Sequence, residues 1–214
     1  LPAMVDFQKQ LKARGIDLLV VPVPPKATIY GTDTGQFLDR FYEELRAAGV
    51  EVLDLIPTFR QNRERERGPV FCKTDTHWSG AGCVLAAQAI AEKIRGKLAA
   101  SPTPKEYISD WKEIEIKGDL VDLLPPNVAK PGPEKIAIRR VSEKANGAAV
   151  EPDANSPVLL LGDSHTLVFH EFLAKRAGLV DQLSLELGFA PDLLGTRGQG
   201  LTTVLVSLCP LSRR

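Results

Sequence analysis

The most restrictive feature of this chain is a repeated alternation of short, nearly unbroken apolar runs with amphipathic segments. "IDLLVVPVP" (16–24), "VEVLDLIP" (50–57) and "PVLLLG" (157–162) are too short for buried helices and rich in branched residues. Such runs suit strands covered on both faces. Helical spacing marks the segments between them. "MVDFQKQLKARG" stops at Gly15, "TGQFLDRFYEELRAAG" stops at Gly49, and "SGAGCVLAAQAIAEKIRGKL" carries a stripe of Val84, Leu85, Ala87, Ala91, Ile94 and Leu98. Ser79 is placed to cap that last helix. The alternation predicts an α/β protein with a mainly parallel sheet, and 214 residues suffice for one domain over 1–214.

Residues 101–157 interrupt the pattern with "SPTP", "LLPPN" and "KPGPE". Two strand-like pieces, "WKEIEI" and "KIAIRRVS", make this a Pro-rich insertion with a small β excursion. After "PVLLLG", a tight turn at Gly162-Asp163-Ser164 leads into a predicted helix running to Gly178. The tail, 179–208, reads as a strand, a Gly-rich loop and a closing helix.

Lys and Arg total 27 and so do Asp and Glu, so the basic excess of a nucleic-acid binder is missing. "RQNRERERG" (60–68) alternates in sign and is expected to be solvated, its arginines flanking an anionic substrate only as a weaker alternative. No apolar run approaches the length of a membrane span. The chain opens at Leu1 with neither an initiator Met nor a signal-like segment, as a trimmed domain would. Three cysteines, Cys72, Cys83 and Cys209, are compatible with one bridge between Cys72 and Cys83 or with buried free thiols.

Chemistry concentrates in two places. "KTDTHWSG" (73–80) puts Asp75 two residues before His77, with Trp78 next. "LLLGDSH" (159–165) ends a predicted strand at a serine that opens a helix, where open α/β sheets gather their sites. A serine hydroxyl needs a base, and the base needs an orienting acid. His165 adjoins Ser164, and side chains adjacent at such an elbow diverge. His170 falls within the predicted helix, where packing is its expected role. His77, with Asp75 within reach of its ring, fits the base. The constellation is Ser164 as nucleophile, His77 as base and Asp75 as orienter. Each half alone has a blander reading: an N-cap for Ser164, a helix cap for Asp75 and a satisfied buried ring for His77. A metal set of Cys72, Asp75, His77 and Cys83 matches no zinc spacing, so no metal is expected.

The two blocks together resemble a known family. Gly162-Asp163-Ser164 resembles the nucleophile block of SGNH hydrolases. The order, with the Asp-x-His block first, is similar to the AlgX/AlgJ family of alginate O-acetyltransferases, as are "VVPVPPKATIYG" (20–31) and "KTDTHWSGAG" (73–82). The resemblance implies a three-layer α/β/α sandwich of flavodoxin-like type and a cofactor-free O-acetyltransferase that acts on an exopolysaccharide through acetyl-Ser164. It further implies a periplasmic location and a membrane-bound acyltransferase as acetyl source. Trp78, Lys26 and Tyr30 are candidate substrate contacts, Trp78 with core packing as its alternative, and Lys73 is a weaker one. The loop "GTRGQG" (195–200) offers Arg197 and Gln199 for substrate or oxyanion contact. A carbohydrate or lipid esterase using the same triad, and a non-catalytic subunit of an export complex, are the competing readings.

Overall fold

A computed structural model describes residues 1–31, 35–98 and 104–198. Its contacts divide into two compact units, Leu1–Arg63 and a second that starts at Glu64.

In the first unit, helix α1 (Pro2–Lys12) precedes strand β1 (Leu19–Val20). A helical turn α2 (Lys26–Tyr30) and the amphipathic α3 (Gln36–Ala47) then carry the chain back to β2 (Glu51–Val52). β1 and β2 pair in parallel, Leu19 beside Glu51 and Val20 beside Val52, which is the expected strand–helix–strand crossover. The apolar runs are longer than the strands they form, because the prolines at 22, 24 and 25 offer no N–H to a ladder. Helix α4 (Ile56–Gln61) closes the unit, with Ile29, Leu45, Leu55 and Phe59 in its core.

The second unit starts with a small hairpin, β3 (Glu64–Arg65) and β4 (Gly68–Pro69). Helix α5 (Gly80–Arg95) is capped by Ser79, whose hydroxyl accepts the Gly82 N–H at 3.2 Å. Gly80–Val84, Ala86 and Ala87 are all buried, and α5 packs on strand β6 (Glu134–Glu143) and on α7 (Leu179–Leu187). Close approach dictates the glycines here: a Cβ on Gly80 would meet the Ala137 carbonyl oxygen at 2.3 Å. The Pro-rich stretch contains an antiparallel ribbon of β6 with β5 (Tyr107–Ile116), joined through a 3₁₀ turn at Asp119–Leu123. The β excursion expected there is thus a pair of ten-residue strands, in register from Tyr107–Glu143 to Ile116–Glu134.

The second parallel pair is β7 (Leu159–Gly162) with β8 (Asp192–Gly195). Two sequence expectations fail between them. The helix begun at Ser164 ends at Leu167 as a single turn, α6, not at Gly178. Leu167, Val168 and Phe169 are each 3% exposed or less, and the Phe169 N–H donates forward to the Phe172 carbonyl at 2.9 Å in place of a helical bond back to His165. The chain leaves the helix instead, with Phe169, Leu173 and Arg176 at φ of 62°, 61° and 65°. Each left-handed residue costs about 1 kcal/mol. The segment expected as a strand after Gly178 is the helix α7, in which every position from Leu179 to Ser184 is buried. The Asp181 carboxylate also reaches back to accept the Gly178 N–H at 2.8 Å. The predicted closing helix lies outside the described residues. No described helix is long and apolar enough to cross a membrane.

Candidate active site

The 71–78 loop is closed at its base by an antiparallel bridge between Phe71 and Trp78 and by the Cys72 N–H donating to the His77 carbonyl at 3.2 Å. Two carboxylates from the ribbon region tie the loop down. Glu134, first in β6, accepts from the Lys73 N–H, the Thr74 N–H and the Thr74 hydroxyl, each at 2.7 Å. Asp119 accepts from the Thr76 N–H at 2.8 Å and the Thr76 hydroxyl at 2.6 Å. Gly118 passes so close that a Cβ would lie 2.0 Å from the Thr74 carbonyl oxygen. Sequence reasoning missed Gly118, Asp119 and Glu134, since they lie in the insertion with no motif of their own.

Within this frame Asp75 is 2% and His77 8% exposed. The Asp75 Oδ1 faces His77 Nδ1 at 2.6 Å and accepts the His77 N–H at 3.0 Å, while its other oxygen accepts the Asp119 N–H at 3.1 Å. Burial opposes the charge on Asp75, but these donors outweigh it and hold the carboxyl below the ordinary aspartate range. An acceptor at Nδ1 places the ring proton there and leaves Nε2 as a lone pair. Nε2 lies 2.8 Å from the Ser164 Oγ.

Ser164 begins α6, directly after β7. The Asp163 side chain accepts the His165 N–H at 2.9 Å, capping the turn. The Ser164 N–H is one of the donors that a helix start leaves without an intrahelical acceptor. Gly162 is required by contact, because a Cβ there would meet Thr166 Cγ2 at 2.3 Å. The His165 ring bonds toward Asp163, whose carboxyl this hydrogen bond holds below the usual range, and lies 4.7 Å from the His77 ring. The Phe172 ring meets that of His77 nearly at right angles, with ring centres 5.4 Å apart. His77 thus contacts two rings, neither of which sequence reasoning assigned to the site.

Thr76, His77, Asp119, Ser164, Phe172, Arg197 and Gly198 line a cleft of about 500 Å³. The Arg197 guanidinium sits 4.0 Å above the Phe172 ring centre. Trp78 does not serve as a sugar platform: it is 2% exposed, with its ring edge against His165. Lys26 and Tyr30 belong to the first unit, where Lys26 opens α2 and the Tyr30 hydroxyl donates to the Arg63 carbonyl at 3.2 Å. Lys73 contributes its backbone N–H to the Glu134 clamp, and Gln199 lies outside the described residues. His170 is not helical; its Nδ1 pairs with Asp181 at 2.9 Å. Cys72 and Cys83 are both buried, the Cys72 Sγ donating to the Trp78 carbonyl at 3.6 Å, and Cys209 lies outside the described residues. Asp75, His77 and Asp119 stand close enough to share a cation, but hydrogen bonds within the protein already engage all three.

Comparison with known proteins bears on most of the chain. The family model for the SGNH hydrolase-like domain of acetyltransferase AlgX matches residues 1–188. The chain belongs to this family. It is 30% identical over 174 residues to the probable alginate O-acetylase AlgJ of Pseudomonas putida, covering 73% of this chain and 45% of that protein. The chain therefore spans less than half the length of that curated relative. Among solved structures it is similar to the O-acetyltransferase domain of Pseudomonas putida AlgJ, with a TM-score of 0.77 and 25% identity over 96% of this chain and 73% of that one. Pseudomonas aeruginosa AlgX shares the fold, with a TM-score of 0.64 and 18% identity over 92% of this chain and 48% of its own. The α/β class read from the alternation is thus the SGNH hydrolase-like fold of the AlgX family.

Proposed function

We propose that this AlgX-family domain is a serine-dependent O-acetyltransferase acting on an alginate-like exopolysaccharide. The observation that carries the proposal is the continuous relay from Asp75 through His77 to the Ser164 Oγ, with contacts of 2.6 and 2.8 Å. His77 Nε2 takes the Ser164 proton as Oγ bonds to the carbonyl carbon of the acetyl donor. The Ser164 N–H stabilises the resulting oxyanion. Collapse breaks the donor ester, and the departing oxygen takes the proton from His77. An acceptor hydroxyl then gives its proton to His77 and attacks acetyl-Ser164; the acetyl group moves to the sugar, and Ser164 regains its proton.

Arg197 suits an anionic acceptor. Among the described residues it stacks on Phe172 without a carboxylate partner, beside a cleft whose carboxylates are already hydrogen-bonded. A guanidinium held in that way presents a fork to a uronate carboxylate. A periplasmic setting and a membrane-bound acyltransferase as acetyl source complete the proposal, as the resemblance of the two sequence blocks implies.

The test is release of p-nitrophenol from p-nitrophenyl acetate, with mass spectrometry of mannuronate oligomers in the same mixture. Acetyl-Ser164 on the intact protein and acetylated oligomer are the expected products. Equal ester turnover by wild type and Ser164→Ala refutes the triad, and free acetate as the sole product makes the domain an esterase.

A further inference from the structure

Phe172, which lines the catalytic cleft and braces His77, is carried by the segment 168–178, and that segment is conformationally expensive. Phe169, Leu173 and Arg176 all take left-handed backbone angles without being glycine. A strained segment persists only where its surroundings hold it. Backbone bonds supply part of the hold: the Phe169 N–H donates to the Phe172 carbonyl at 2.9 Å, and the Ala177 N–H to the Phe169 carbonyl at 2.9 Å. The Arg176 guanidinium donates to the Gly147 carbonyl at 3.1 Å, and the anchor nearer Phe172 is His170. Its Nδ1 meets the Asp181 Oδ2 at 2.9 Å, and the same oxygen accepts the Gly178 N–H at 2.8 Å. Asp181 is 0% exposed on α7, and its Oδ1 has no hydrogen-bond partner among the described residues. Gly178 must be glycine for the ring to approach, since a Cβ there would lie 2.5 Å from the His170 Cβ.

We infer that His170 is a positioning residue: paired with Asp181, it latches segment 168–178 so that Phe172 holds the wall of the cleft against His77. This rests on the acyl-transfer reading for its activity readout, but the latch itself does not. A separate cavity of about 310 Å³ borders the pair, so the latch meets solvent away from the cleft. The charged groups around His170 are Asp181 from α7, Glu171 and Lys175 from its own segment, and Glu151 and Arg176 across that cavity. Burial opposes a charge on His170, but the Asp181 hydrogen bond and charge outweigh it and hold its pKa above the usual value. Burial pushes the Asp181 carboxyl up as well, so the charged pair needs a pH above the raised Asp181 value and is lost as pH rises through the raised His170 one.

The experiment compares wild type, His170→Ala and His170→Asn, whose amide nitrogen falls near the place of Nδ1. Hydrogen exchange of the Phe169 and Ala177 amides reads the latch, and p-nitrophenyl acetate turnover from pH 5.5 to 8.5 reads its effect on the site. We expect faster exchange and about tenfold lower kcat/KM in His170→Ala at pH 5.5. The ratio of wild type to variant should shrink as pH rises; titration of the triad is common to both proteins and cancels. His170→Asn should restore most of the turnover. Placed on a Phe172→Ala background, His170→Ala should cost no further turnover. Unchanged exchange in His170→Ala overturns the latch; faster exchange with unchanged turnover, or an undiminished loss on the Phe172→Ala background, overturns the positioning role. Should His170→Ala not fold, His170→Asn against His170→Gln carries the same comparison. If wild type and Ser164→Ala turn over ester equally, the acyl-transfer reading fails, while the exchange result still decides the latch.

Discussion

Replacing Asp75 with Asn changes almost no volume but reverses the hydrogen-bond polarity of one atom. Three donors face the wild-type carboxylate among the described residues: the His77 ring nitrogen and N–H on one oxygen, the Asp119 N–H on the other. An amide has one acceptor, so its NH₂ must confront a donor in either orientation. The cheaper choice turns the NH₂ toward Asp119 and orphans one N–H, costing about 1–3 kcal/mol of stability. That orientation keeps the His77 tautomer, so the catalytic loss comes from the missing negative charge beside the imidazolium that forms during acylation. With charge centres about 4 Å apart and an effective dielectric of 20, Coulomb's law gives about 4 kcal/mol. At about 1.4 kcal/mol per decade this predicts roughly a thousandfold fall in acylation rate.

The assay is p-nitrophenyl acetate turnover at pH 8, with thermal melting to establish that the variant is folded. A folded Asp75→Asn protein that retains a tenth or more of wild-type turnover would refute the electrostatic argument. Acid titration supplies an independent check. The folded-state pKa of Asp75 is lowered, so its stabilisation is present above the unfolded value near 3.9 and lost as pH falls through the folded one. The stability gap between wild type and Asp75→Asn should therefore narrow below about pH 4.

Two further perturbations probe the frame and the cleft. Gly118→Ala would drive a Cβ to 2.0 Å from the Thr74 carbonyl oxygen, displacing the loop that carries Asp75 and His77. Melting should fall by several degrees and ester turnover by at least tenfold; an unchanged melt and rate would show that the loop yields freely. For Arg197→Gln, the ratio of transfer to mannuronate over neutral mannose oligomers should fall about tenfold, mainly through KM. Equal losses on both acceptors would exclude a carboxylate contact.

The elements legible in the sequence were those whose cause is local. The Ser79 cap and buried stripe of α5, the parallel crossover of β1 and β2, and the strand–Ser164 junction each follow from periodicity or turn chemistry. Asp75 and His77 could be paired because two residues of separation bring their side chains into reach. Segment 164–187 was misread at both ends. The forward bond from Phe169 to Phe172 replaced helix continuation, and the Asp181 carboxylate caps a helix where a strand was expected.

The sequence by itself therefore determined the chemistry available: a serine at a strand–helix junction and an acid–histidine pair in one tight loop. Only the tertiary structure decided what holds those groups in place. Glu134 and Asp119 act on the loop at 73–77 from about 40 to 60 positions away, and His165 and Phe172 contact His77 from a separate crossover. Contacts between residues so far apart leave no periodicity and no spacing, because they depend on where the core brings two segments of chain together. The same applies to Trp78, which burial removes from any contact with sugar.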